Sequence, residues 1–210
     1  MTVSPQARPP GSRLSRPARR RQLLGAARAV FVAYGYHAAG MDEIAERAGV
    51  SKPVLYQHFP GKLELYLALL DESAADLVGI VRAALASSSD NKQRVPATFQ
   101  AFFDFVSGEG GAFRLVFESD LSNEPAVRQR LDQTMRQCAA MVSQFIREDA
   151  GVGDQEAHLL GIALVGMAQV TARYWLSTDQ EMPKSVAEEL IARLAWRGIS
   201  NWPRDGGAGP

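Results

Sequence analysis

The stretch Met41–Lys62, MDEIAERAGVSKPVLYQHFPGK, decides how the rest of the chain is read. Ile44, Ala45 and Ala48 recur at spacings of one, three and four, so a helix through Asp42 to Ala48 presents one apolar stripe and leaves Asp42, Glu43, Glu46 and Arg47 in solvent. Gly49 follows the last periodic residue, where a left-handed backbone ends a helix without steric cost. Ser51 is placed to accept backbone N–H groups as the N-cap of a second helix, and Pro53 suits a first turn whose N–H groups have no intrahelical partner. In that second helix Leu55 and Phe59 stand four apart and can pack on the first. Two short amphipathic helices joined by a glycine turn outline a helix-turn-helix.

Lys52, Pro53, Tyr56 and Gln57 fall on the opposite side of the second helix. A cation, an aromatic hydroxyl and an amide on one exposed face suit the major groove, which admits an α-helix and offers donors, acceptors and the thymine methyl. Flanking phosphates accept bonds from Lys, Tyr and His. From Gly40 to Leu67 the chain resembles the N-terminal domain of the TetR family of one-component transcriptional regulators, whose pattern is close to I-A-x-x-A-G-V-S-x-x-x-x-Y-x-H-F-x-x-K-x-x-L. Ile44, Ala45, Ala48, Gly49, Val50, Ser51, Tyr56, His58, Phe59, Lys62 and Leu65 match it. The resemblance implies that Lys52, Pro53, Val54 and Gln57 face base edges, Val54 suiting a thymine methyl, while Tyr56, His58 and Lys62 hold phosphates. One departure stands out: Gly40 replaces the Ser or Thr that usually caps the first helix and donates to a phosphate. The competing reading is a helical hairpin inside some other all-α protein, with Tyr56 and His58 edging a core.

The net charge of zero hides an asymmetry: the first forty-one residues contain seven arginines and no Asp or Glu. A basic amino-terminal segment on an otherwise neutral or acidic chain is a localised footprint for phosphate. Met1 to about Ala18, rich in Pro, Ser, Gly and Arg, reads as a disordered arm, because such a composition buries too little apolar surface to offset chain entropy. Its arginines, with Arg19 and Arg20 at the start of the first helix, either touch phosphates or a minor groove, or form a solvated tail that raises non-specific affinity. Leu23, Ala27, Val30, Phe31 and Tyr34 carry that helix, from Arg19 to Tyr34, and Gly35 closes it. Residues 19–65 are thus the expected DNA-binding domain.

Lys62 opens a long apolar pattern that runs to Ala86, and Ser87 to Arg94 reads as a polar loop. Helices are expected near Val95–Ser107, Gly111–Ser119, Glu124–Ala150, Gln155–Thr178 and Pro183–Ile199, which makes the fold all-α, with residues 66–202 a second domain and 203–210 a disordered tail. Leu159 to Ala168 is apolar around its circumference and needs cover on two sides, with small Gly161, Ala163 and Gly166 allowing close approach. A partner subunit or the centre of a monomeric core would supply that cover. The resemblance implies the former, a homodimer through the helices near 155–178 and 183–199.

Phe102, Phe103, Phe117 and Met141 belong to an aromatic and thioether-rich middle region, which is either core or the apolar lining of an effector pocket, with Gln137, Gln169, Thr171, Arg173 and Tyr174 as polar candidates. By resemblance the effector is a small molecule stored there. It would move the Lys62 helix and so release a palindromic operator in double-stranded DNA, usually in repression. An effector-independent architectural DNA-binding protein is the alternative. An enzyme is not expected, since three histidines and one cysteine supply no nucleophile, base and orienter set, and no cofactor is implied. The lone Cys138 suits a reducing cytoplasm, and no run approaches the roughly 18–20 apolar residues of a membrane span.

Overall fold

The computed structural model describes residues 14–108, 121, 123–178 and 180–200. Among these the chain forms eight helices and no strand, as expected of an all-α protein. They are α1 (Arg16–Ala38), α2 (Met41–Arg47), α3 (Lys52–His58), α4 (Lys62–Leu85), α5 (Asn91–Ser107), α6 (Pro125–Ala150), α7 (Asp154–Ser177) and α8 (Lys184–Ser200). The expected Gly111–Ser119 helix, Phe117, most of the arginine-rich arm and the 203–210 tail lie outside the described residues.

Helix α1 begins three residues before its expected start. Ser15 caps it by accepting the Ala18 N–H, and Pro17 sits in the first turn, so Arg16 to Ala18 are helical rather than part of an arm. Leu23, Leu24, Ala27, Val30 and Phe31 form its buried stripe, and Gly35, at φ 74°, breaks the helical path. That stripe covers Ile44 and Ala45 of α2 and Leu55 of α3, closing a three-helix headpiece.

Helix α4 spans about 36 Å at 1.5 Å per residue and is shared between the headpiece and the rest of the protein. At its start the Tyr66 ring meets Phe31 edge-on at 5.2 Å and Tyr36 at 5.3 Å. Further along, Leu77, Val81 and Leu85 are buried, and α5 and α6 pack on this half. Adjacent acids anchor it on both sides: Glu72 pairs with Arg28 of α1 at 3.0 Å and Asp71 with Arg130 of α6 at 2.8 Å.

Helix α5 starts four residues before its expected start. Asp90 caps it by accepting the Lys92 N–H at 2.9 Å, and Pro96 is carried inside the helix. Helices α6 and α7 make the most extensive helix pair. Gly161 permits it, since a Cβ there would lie 2.6 Å from the Ala139 carbonyl oxygen. Gly161 therefore serves contact within the protomer, not the approach of a partner. Trp175 is buried against Phe103 at 5.7 Å between centroids, and its Nε1–H donates to the Met182 carbonyl at 2.7 Å, which holds α8 against α7.

Helix α7, 24 residues long, contains an 18-residue window of mean hydropathy 1.3 and so meets the length and composition of a membrane span on those two criteria alone. Gln169, Thr171 and Arg173 interrupt its second half, and Ala157, Gly161, Ala168 and Ala172 are buried.

Candidate nucleic-acid interface and apolar cavity

The turn between α2 and α3 is built by its backbone. The Gly49 N–H donates to Glu46 O at 2.9 Å and the Val50 N–H to Ala45 O at 3.0 Å, with Gly49 at φ 63°, so two orphan carbonyls are satisfied in a left-handed C-cap. Ser51 occupies the N-cap of α3, yet its side chain makes no capping bond; its carbonyl accepts the Val54 N–H at 3.0 Å. Gly40 is the N-cap of α2, again without a side-chain bond. Gln22 of α1 fastens the turn from outside by donating to Ala48 O at 2.8 Å.

Burial of Leu55 and Phe59 leaves one outer face on α3. Lys52, Pro53, Tyr56 and Gln57 are exposed, and Val54 and His58 are half-buried. Lys52 Nζ pairs with Asp42 at 2.6 Å, an exposed contact that bridges the first turns of α2 and α3. Arg20 lays its guanidinium over the Phe59 ring at 4.5 Å and so stands beside the end of α3, while Arg19 donates within α1, at 2.7 Å, to Oε1 of Gln22, the residue that holds the turn. The arrangement presents a convex helix with cations, an aromatic hydroxyl and an amide, the equipment of groove reading and phosphate contact.

Lys62 is placed differently from the phosphate contact that the family resemblance implies. Its Nζ donates to Tyr36 O at 2.9 Å, His37 O at 3.2 Å and Ala39 O at 3.0 Å, and lies 4.6 Å from the centre of the Tyr36 ring. All three ammonium protons are engaged, and the cation neutralises the negative end of α1. The Tyr36 hydroxyl is held above its ordinary pKa by burial and by the carboxylates of Glu64 and Glu124.

In the second half of the molecule a cavity of about 280 Å³ opens between α4, α5, α6, α7 and α8. Val81, Phe99, Phe102, Met135, Val142 and Leu164 are among its walls, and Trp196 of α8 reaches it. Cys138 also lines it, and burial pushes that thiol up to about 11, which keeps it protonated and unreactive. Of the ligand candidates read from sequence, Phe102 is a wall residue. Phe103 packs on Trp175 instead, and Met141, Gln137, Gln169 and Arg173 are not among the lining residues.

The charged lining was not foreseen. Arg94 is only 8% exposed. Its Nε donates to Ser88 O at 3.0 Å, its Nη1 to Asn91 Oδ1 at 2.6 Å and to Asp149 Oδ2 at 2.7 Å, and its guanidinium stacks over Phe145 at 4.5 Å. Arg94, Asn91 and Asp149 all line the cavity. The signal available in the sequence was Asp90 as a helix cap, which moves Arg94 from a loop onto a helix face.

Helices α7 and α8 leave a row of large apolar side chains in solvent: Leu159, Ile162, Val170 and Tyr174 on one, Val186, Leu190 and Leu194 on the other.

Residues 23–69 match the family model described as bacterial regulatory proteins, tetR family. The chain is 48% identical over 193 residues to the HTH-type transcriptional activator FasR of Mycolicibacterium smegmatis, covering 92% of this chain and 88% of that one. Among solved structures, a TetR-like transcriptional regulator from Rhodococcus sp. RHA1 superposes with a TM-score of 0.72 at 25% identity, over 90% of this chain and all of that one. The transcriptional regulator FadR from Bacillus subtilis, solved in complex with stearoyl-CoA, has the same fold, with a TM-score of 0.70 at 18% identity over 83% of this chain and 96% of that one. The chain belongs to the TetR family of transcriptional regulators and is a DNA-binding protein of the helix-turn-helix type.

Proposed function

We propose that this protein is a cytoplasmic, homodimeric transcription factor that binds a palindromic operator through α3 and is released from it by a ligand with a long acyl chain. The observation that carries the reading is the apolar cavity, walled by the distal half of the same helix, α4, whose first residue clasps the headpiece. The stearoyl-CoA complex of FadR supports an acyl chain as the occupant, because that regulator shares the fold. In this reading Lys52, Pro53, Val54 and Gln57 meet base edges, Tyr56, His58, Arg19 and Arg20 meet phosphates, and Lys62 sets the angle between α1 and α4 instead of touching DNA.

The exposed apolar row on α7 and α8 supports a dimer, since large side chains concentrated on adjoining helices mark an interface. A two-fold dimer brings two copies of α3 to half-sites one or two helical turns apart. An acyl chain filling the cavity shifts α4, which favours a headpiece spacing that no longer fits consecutive major grooves; the fall in DNA affinity equals the ligand's preference for that state.

Family resemblance implies repression, but the relative at 48% identity is named an activator, and we adopt activation for this chain. Selection of bound fragments from genomic DNA, followed by transcription in vitro from the recovered promoter, tests both points. A palindrome and a protein-dependent rise in transcript are expected. A fall in transcript would restore the repressor reading, and recovery of no sequence in preference to another would remove the regulator reading altogether.

A further inference from the structure

Helix α3 carries a single lysine or arginine, Lys52, and that cation is already matched. Asp42, in the first turn of α2, stands 2.6 Å from its Nζ. The two side chains are 59% and 68% exposed. An ion pair this open to water contributes little to stability, so its consequence falls on whatever meets the outer face of α3.

A lone lysine on such a face discriminates poorly. Its ammonium is a point charge on a flexible stem and takes any phosphate within reach, which is the chemistry of sequence-independent binding. With Asp42 beside it, phosphates and bases are no longer equivalent. A phosphate that approaches Nζ also approaches the Asp42 carboxylate, and repulsion between the two anions offsets attraction to the cation. Gly40, the N-cap of α2, adds no side-chain donor there to compensate. A base edge carries no net charge and meets no such repulsion. The ammonium has three N–H groups and one carboxylate partner, which leaves donors for the adjacent acceptors O6 and N7 that guanine shows in the major groove. Asp42 also narrows the directions in which the lysine points, so less side-chain freedom is lost on reaching the base.

We infer that Asp42 is a specificity-determining residue of operator recognition: paired with Lys52, it withholds the ammonium from the phosphates of random-sequence DNA and directs it to a guanine edge in the operator. This rests on the docking of α3 proposed above, and it makes Asp42 a positioning residue that itself touches no base.

The test is fluorescence anisotropy between about 50 and 200 mM salt, with the full chain titrated against its selected operator and against a random-sequence duplex of equal length. The wild type is compared with D42N, E43Q, K52A and the double variant D42N/K52A. D42N keeps the shape of the side chain and removes its charge. Its affinity for random duplex rises about three- to tenfold at the lowest salt, and the slope of log K against log salt steepens by up to about 0.9, the value of one added phosphate contact. Operator affinity stays level or falls, so the ratio of operator to random affinity drops at least about threefold. Glu43 lies in the same turn of α2 and is not the partner of Lys52, so E43Q removes one negative charge and keeps the pair; its ratio stays at the wild-type value. K52A lowers operator affinity, and in the double variant the effect of D42N disappears. An unchanged ratio in D42N, an equal fall in E43Q, or a D42N effect that persists without Lys52 overturns the inference while leaving the docking of α3 intact. If K52A leaves operator affinity untouched, the placement of Lys52 at a base edge falls, and this inference with it.

Discussion

Replacing Lys62 by methionine separates two roles that the same residue could play. The side chain keeps its length and loses the ammonium, so three N–H···O bonds to Tyr36 O, His37 O and Ala39 O disappear together, at 2.9, 3.2 and 3.0 Å. Bonds from a charged donor contribute more than neutral ones, but these carbonyls are partly reached by water once the ammonium is gone. The net loss is therefore about 2 kcal/mol rather than the sum of three full bonds. For a chain of this size that lowers the melting temperature by roughly 4–8 °C. Operator affinity falls as well, because the headpiece loses its fixed angle to α4. Since no phosphate contact is removed, the slope of log K against log salt stays the same. A phosphate contact behaves in the opposite way: its loss lowers that slope by about 0.9 per contact and leaves folding nearly untouched. Thermal melts together with anisotropy titrations between 50 and 200 mM salt, a range chosen for the roughly linear salt dependence there, read both quantities. A shallower slope with an unchanged melting temperature refutes the clasp.

The remaining predictions concern the face of α3, the packing of α7, the dimer and the cavity. Tyr56→Phe removes one exposed hydroxyl and leaves the ring, so operator affinity drops about three- to tenfold with no change in melting temperature, measured by titration at fixed salt. Gly161→Val forces α7 away from Ala139 and Ser143 of α6 and destabilises the fold by about 1–3 kcal/mol or more, read by urea unfolding, where a neutral outcome would mean that the helices separate freely. Leu194→Arg with Tyr174→Arg places two charges in the exposed apolar row, and light scattering should then find monomer where the unaltered protein is dimeric. Cys138, 2% exposed with its thiol pushed up to about 11, resists alkylation in the native protein at pH 8 and reacts on unfolding; rapid native labelling would show that the cavity wall opens.

Much of the headpiece was legible in the sequence because its determinants are local. Gly49 takes the left-handed conformation read from its position after Ala48, and the spacing of Leu55 and Phe59 put the buried and exposed faces of α3 on the correct sides. The ends of longer helices were less legible. The polar run Ser87–Arg94 argued for a loop, whereas Asp90 caps a helix that begins at Asn91, four residues before its expected start, and the helix carries Pro96 in its second turn at the loss of a single backbone bond. That shift hid Arg94, whose burial depends on Asp149, 55 positions away. Contacts between distant residues left no periodic trace. For the same reason Gly161 was read as room for a partner subunit, when its neighbour is α6 of its own chain. The family resemblance assigned Lys62 to a phosphate, and the carbonyls at the end of α1 that its ammonium meets leave no mark in the local sequence.

The central claim is that an acyl ligand in the cavity and DNA on α3 compete through α4. The most direct measurement is the affinity of the dimer for its selected operator, by anisotropy at fixed salt, as an acyl-CoA is added while calorimetry follows its binding to the same sample. The account predicts that DNA affinity falls by at least about fivefold as the cavity fills, the lower end of typical coupling between sites. Saturation with acyl-CoA at unchanged operator affinity would contradict it.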